Sequence, residues 1–205
     1  MIPADIANGR QTLEIPLFPL GAVLFPGGEL ALKVFEQRYL DMVAACMRNQ
    51  SAFGVCLIAS GHEVGAPAEP YPVGTLAHMV KVDMPQLGIM LLEVRGGHRF
   101  RIKTRTVTPG GLLRAEVELF GESERQSLPP ALAGLGSLLQ RMANDSTREA
   151  IAKPHAFDDA SWVGYRLSER LPLDAKSRQK LLELDDPAVR LEALASYLSQ
   201  RRLIL

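Results

Sequence analysis

At 205 residues, with 47% hydrophobic and 22% charged side chains, the chain can build a core without covalent staples, and its composition excludes wholesale disorder. Lys plus Arg equals Asp plus Glu at 23 each, so the basic excess of a dedicated nucleic-acid binder is missing. Its two cysteines, Cys46 and Cys56, are too few for a disulfide framework and lack the paired spacing of a zinc site.

Both cysteines lie among apolar neighbours and are expected to be buried free thiols. Residues 1–11 carry no apolar signal core, and no stretch approaches the roughly 20 apolar residues that span a bilayer. A cytoplasmic protein without membrane contact is therefore expected.

Taken in chain order, Leu30, Leu32 and Val34 alternate with Ala31 and Lys33, the period-two pattern of a half-buried strand. Phe35, Tyr39, Met42, Val43, Cys46 and Met47 then recur at helical spacing. They predict a helix over residues 36–48, with Phe35 and Tyr39 on its buried face. Glu36 and Arg38 are expected to anchor that helix through ion pairs or bonds to carbonyls. Residues 52–58 form a short apolar run suited to a strand buried on both faces.

The connection over residues 59–73 is long for a compact domain, and such loops tend to carry function. Within it Val64 and Tyr71 offer apolar contacts and are candidate partner-binding residues. Residues 89–95 and 98–107 read as two strands joined at Gly96-Gly97, a two-residue hairpin signal. Pro109-Gly110-Gly111 marks another turn. After it Leu113, Ala115, Val117 and Leu119 alternate with Arg114, Glu116 and Glu118 as a further strand. Several short strands and one embedded helix predict a closed or nearly closed barrel over residues 12–121.

Residues 122–130 are polar, end in Pro129-Pro130 and read as a linker. Over residues 131–205 helical periods dominate. Leu132, Leu135, Leu138, Leu139 and Met142 line one helix. Asp158 or Asp159 can cap a second, carrying Trp162, Tyr165 and Leu167, and Asp174 a third. Asp186 followed by Pro187 predicts the start of a last helix, with a stripe of Leu191, Leu194, Ala195 and Leu198. Trp162, Tyr165 and Arg166 are a second group of candidate partner-binding residues, placed to line a groove between barrel and bundle.

Five segments in order carry a family resemblance. Residues 15–27, IPLFPLGAVLFPG, resemble the opening of the Lon protease N-terminal substrate-binding domain. Phe35-Glu36-Gln37-Arg38-Tyr39, Val73-Gly74-Thr75-Leu76-Ala77 and Gly97-His98-Arg99-Phe100-Arg101-Ile102 are similar to later segments of that family. So is the stretch from Leu171-Pro172-Leu173 to Asp186-Pro187. The resemblance implies an α+β fold: a PUA-like β pseudo-barrel with one embedded helix, followed by a C-terminal helical bundle.

The resemblance also implies peptide or protein recognition without catalysis or a cofactor. No G-x-x-x-x-G-K-[ST] loop occurs in the chain, and Gly21-Ala22 stands where full-length Lon commonly has Arg-Asp. The chain therefore resembles stand-alone bacterial members without ATPase or peptidase domains.

The residues themselves show no assembled active site. Gly134-Leu135-Gly136-Ser137 has the wrong spacing for a nucleophile elbow, and His62, His78, His98 and His155 are scattered, so neither a catalytic nor a metal site is expected. One alternative function is RNA binding by Arg99, Arg101, Lys103 and Arg105, which share a face if residues 98–107 form a strand. Pairing of those cations with Glu116 and Glu118 across the next hairpin is the structural alternative. A further alternative is an adaptor or regulator of the cell's Lon.

Overall fold

The computed structural model describes residues 12–121, 125–145, 150–151 and 153–201. The chain divides into two compact units, residues 1–24 with 30–122, and residues 25–29 with 123–205. Two features differ from the boundaries read off the sequence. The short segment Phe25–Glu29 belongs to the helical unit. The described part of the expected linker is also tied into that unit, through Ala160 N to Gln126 O (2.8 Å) and Leu128 N to Asp158 O (3.1 Å).

The first unit contains β1 (Thr12–Leu20), β2 (Glu29–Val34), α1 (Gln37–Asn49), β3 (Phe53–Ser60), β4 (Glu69–Pro70), β5 (Val73–Gln86), β6 (Ile89–Val107) and β7 (Leu113–Leu119). Pairing runs β1-β7-β6-β5-β3, antiparallel at each step, and β1 then pairs with β3 in parallel. The five strands thus close into a ring, which removes their exposed edges. β4 adds to β3, and β2 adds to β6 outside the ring.

β1 makes closure possible by changing partner. Thr12 to Pro16 pair with β7, whereas Leu17 to Leu20 pair with β3. Pro16 sits at the switch, where a residue lacking a ladder donor is tolerated. The alternation of β1 follows: Ile15 and Leu17 join one apolar cluster with Phe100 and Val117, while Phe18 and Leu20 join another. α1 adds Tyr39, Met42, Val43 and Cys46 to that second cluster, beside Phe53 and Val55. Cys46 and Cys56 are both buried and free, and burial pushes both thiols above their ordinary pKa, keeping them protonated.

Two expectations are corrected here. Gly96-Gly97 does not turn the chain, because β6 runs through it unbroken from Ile89 to Val107. The reversal lies at Leu87-Gly88, between the paired Gln86 and Ile89, where Gly88 takes a φ of 81°. Gly97 serves close approach instead: a Cβ there would lie 2.5 Å from the His78 ring. Phe35, expected in the core, precedes the helix and is 50% exposed, while Tyr39 is buried.

Gly74 explains its own segment. A Cβ there would sit 2.5 Å from the Val55 carbonyl oxygen and 2.6 Å from Cys56 Sγ. Gly74→Ala is expected to destabilise the first unit by roughly 1–3 kcal/mol, the usual cost of overpacking. Urea unfolding of the variant, followed by the far-ultraviolet circular dichroism of its strands, measures it. A loss below about 0.5 kcal/mol would show that the strands part easily at this point.

The second unit holds a 3-10 turn over Pro130–Leu132 and α2 (Ala133–Asn144), α3 (Ala160–Arg170), α4 (Ala175–Glu183) and α5 (Pro187–Gln200). Three of these helices begin at aspartates. Asp159 accepts from Trp162 N (2.6 Å), Asp174 from Ser177 N (2.7 Å) and Asp186 from Ala188 N (2.8 Å). The backbone N–H of Ser177 holds the Asp174 carboxyl below the usual carboxylate range. Asp158 takes another role, receiving both oxygens' worth of bonding from Arg125 (2.7 and 2.8 Å).

Leu135, Leu139, Val163, Leu167, Leu182, Leu191, Leu194 and Leu198 are buried along the helices, and Ala195 is half-buried. No described helix is long and apolar enough to cross a membrane.

Candidate functional site

The basic strand is already engaged within the first unit. Arg99 is buried and lies over the Phe120 ring at 4.4 Å, with Arg101 at 5.3 Å from the same ring. Lys103 pairs with Glu118 (2.9 Å), as the cross-strand reading expected, but Arg105 pairs with Glu69 rather than Glu116 (2.5 Å). Glu116 instead accepts from Thr104, because the β6–β7 register shifts between Ile102 and Thr104. Lys103 and Arg105 are thus paired with carboxylates, and Arg99 and Arg101 lie against an aromatic ring.

In the second unit the sequence candidates are largely interior. Arg166 is 2% exposed and donates to the Pro26 carbonyl (2.7 Å) and to Glu169 (2.9 Å). Tyr165 is buried against Phe25, with ring centroids 5.8 Å apart. Both side chains therefore hold Phe25–Glu29 in place instead of presenting a surface, which corrects their candidacy as groove residues. Trp162 is half-buried, edge-on to Phe157 at 5.2 Å and beside His155 at 5.9 Å. Three packed rings of this kind read as a satellite core.

An apolar concave surface lies in the first unit, along β2. A cleft of about 340 Å³ is bounded by β2 and its continuation through Glu36, by the end of β1, and by the tip of the loop after β3. Stacked rings of Phe18 and Tyr39, with centroids 4.1 Å apart, form part of its wall. Leu30 lines it half-buried, and Phe35 (50% exposed) and Val64 (57% exposed) stand open to solvent. Of the two loop residues singled out in the sequence, Val64 lines this cleft. Tyr71 does not; it is half-buried, and its backbone N–H donates to the Leu57 carbonyl (2.8 Å).

Two carboxylates secure the cleft. Glu63 Oε1 accepts from Gly21 N (2.5 Å), tying the loop to the end of β1. Glu36 Oε2 accepts from Gly65 N (3.4 Å) and pairs with Arg38 (3.0 Å). Arg38 in turn donates to the Gly111 carbonyl (3.0 Å), so the helix anchor expected from the sequence joins α1 to the turn before β7. Burial pushes the Tyr39 hydroxyl above its ordinary pKa; Arg38 opposes this, and Glu36 and Glu63 add to it. Lys33 is the lining cation.

Sequence reasoning missed Phe35 because its spacing from Tyr39 fits a helix face, yet the helix starts two residues later. A half-legible signal existed: β2 alternates through Val34, which places residue 35 on the outward parity.

Comparison with known proteins bears on what such a cleft serves. Residues 14–200 match the family model described as the ATP-dependent protease La (LON) substrate-binding domain. Lon protease 2 of Herpetosiphon aurantiacus is 28% identical over 96% of the chain, and Lon protease 2 of Myxococcus xanthus 26% identical over all of it. The chain spans about a quarter of the length of these relatives, 25% and 26%.

Among solved structures, a Lon N-terminal domain protein from Xanthomonas campestris superposes with a TM-score of 0.77 at 38% identity. The match covers 90% of this chain and 98% of that one. The N-terminal domain of Mycobacterium avium complex Lon protease, at 20% identity and a TM-score of 0.64, shares the fold. A mixed α+β chain with this antiparallel sheet, matched across nearly its whole length, belongs to the Lon substrate-binding domain family.

Proposed function

We propose that this chain is a recognition module of the PUA-like barrel type that performs no catalysis itself and holds exposed apolar segments of polypeptides in the cleft along β2. The observation that carries the reading is that Phe35 and Val64, two large apolar side chains lining a concave site, are left in water. Exposed apolar surface in a cleft marks an interaction site. Membership of a substrate-binding family supports polypeptide as the occupant. Each lining carboxylate commits one oxygen to the walls, Glu63 to Gly21 and Glu36 to Gly65 and Arg38.

Photocrosslinking tests this. A benzoylphenylalanine at Phe35 or Val64 is expected to capture a permanently unfolded, carboxymethylated polypeptide but not the same polypeptide folded. The same probe at Val189, exposed on α5 of the second unit, serves as control. Equal capture at Val189 and at the cleft positions would overturn the assignment.

A further inference from the structure

The cleft is bounded by something other than side chains. β2 pairs with β6 on one side, and among the described residues no other strand pairs with it. Closure of the five-stranded ring removes the edges of β1, β3, β5, β6 and β7 where they pair, but β2 lies outside that ring. Every residue from Leu30 to Val34 lines the cleft, so the second edge of β2 borders it. A strand edge presents alternate N–H and C=O groups that pair readily with another extended chain.

Natural proteins commonly blunt such an edge with proline or a bulge. β2, Glu-Leu-Ala-Leu-Lys-Val, contains no proline, so each of its residues keeps a backbone N–H, and of its two charged residues only Lys33 lines the cleft. Elsewhere in this fold that protection is present: the outer part of β5 carries Pro85 and register shifts. The edge of β2 thus keeps its full set of backbone donors.

Charge adds a second constraint. Glu36, paired with Arg38, and Glu63 line the cleft, and Lys33 is its lining cation. Glu63 uses one oxygen for Gly21, and both partners of Glu36 meet the same oxygen, Oε2. Each carboxylate therefore keeps an oxygen on which a cation can bond.

Resting on the reading of the cleft as a polypeptide site, we propose that β2 receives an extended, apolar segment with a basic flank as an added strand. Main-chain bonds to β2 give affinity that does not depend on sequence. Side chains on one face of the added strand meet Phe35, Val64 and the Phe18–Tyr39 stack, and a Lys or Arg beside them meets Glu36 or Glu63. Six residues of β2 correspond to about 20 Å of extended chain, so a segment of about that length is bound. A preformed amphipathic helix, whose backbone groups bond internally, gains nothing from the open edge.

The experiment uses the full chain and fluorescein-labelled heptapeptides of Leu, Val and Ala with one flanking Lys, Gln or Glu, read by anisotropy. N-methyl groups are placed on alternate peptide nitrogens, one parity at a time. One parity is expected to weaken binding about tenfold or more and the other less than twofold, because only alternate N–H groups face β2. The Lys-flanked peptide is expected to bind several-fold tighter than the Glu-flanked one, and Glu63→Gln, which keeps the acceptor for Gly21, is expected to shrink that difference.

Equal effects of both N-methyl parities would overturn the added strand, and equal affinity of Lys- and Glu-flanked peptides would overturn the basic flank. The cleft reading fails separately: Gln-flanked peptide would then bind Phe35→Ser as tightly as the unaltered chain.

Discussion

Replacing Arg190 with alanine is expected to cost the helical unit about 3–4 kcal/mol, a large part of the stability of an ordinary domain. Arg190 has no exposed surface, yet it sits in the first turn of α5. Its Nε donates to the Leu181 carbonyl (2.9 Å), and its Nη2 donates to the Leu184 carbonyl. Leu181 lies in the last turn of α4, whose carbonyls have no acceptor role inside their own helix, and Leu184 is its C-cap. The guanidinium also lies 4.2 Å over the Tyr165 ring. Alanine would remove the bond to the buried Leu181 carbonyl and open a cavity beside Tyr165, and both effects act in the same direction.

Arg190→Lys keeps the charge but has neither the planar fork nor the ring contact, so an intermediate loss is expected. Urea unfolding followed by circular dichroism at 222 nm measures all three proteins. An alanine variant within about 1 kcal/mol of the parent would show that solvent or neighbouring donors replace the guanidinium.

The second large effect concerns binding. Phe35→Ser together with Val64→Ser is expected to raise the Kd for an unfolded polypeptide roughly thirtyfold. Full burial of a Phe or Val side chain contributes about 1.5–3 kcal/mol, and both are about half exposed in the free chain. Covering the remainder contributes about 2 kcal/mol together, which converts to that factor. Because both side chains face water, the double variant should unfold at nearly the same urea concentration as the parent. Isothermal titration alongside unfolding separates the two quantities. Unchanged affinity with unchanged stability would remove the cleft from recognition.

The two effects depend on residues that were unequally legible. The aspartate caps at Asp174 and Asp186 could be read directly, and that of α3 to within Asp158 or Asp159, since a cap and the first turn it serves are neighbours in sequence. The same holds for the alternation of β2 and β7 and the apolar face of α1. Arg190, by contrast, looks in sequence like an ordinary charge in an amphipathic helix. Only the arrival of α4's last turn beside α5 gives its donors something to hold.

Phe35 was misplaced for a related reason. Its spacing from Tyr39 satisfies a helix, but the backbone from Val34 to Glu36 is still leaving a strand. Val64 could be singled out as an apolar residue in a long loop, though nothing local says which surface the loop tip reaches.

Glycine was ambiguous in the same way. Gly96-Gly97 and Leu87-Gly88 both permit a turn. The chain turns at the second because β5 and β6 are long enough to pair from Gln86 and Ile89 back to Val73 and Arg101. Gly97 is then required by the His78 ring lying against it. Residues 25–29 stood in the sequence as part of the barrel segment, yet Arg166 and Tyr165 hold them in the helical unit.

By itself the sequence determined the elements whose periodicity and caps are local, the α+β class and the family resemblance. Closure of the sheet by β1 and β3 and the cleft along β2 were decided only by tertiary structure. Each depends on which strands become neighbours across long stretches of chain, and pairing at that range leaves no period in the sequence to read.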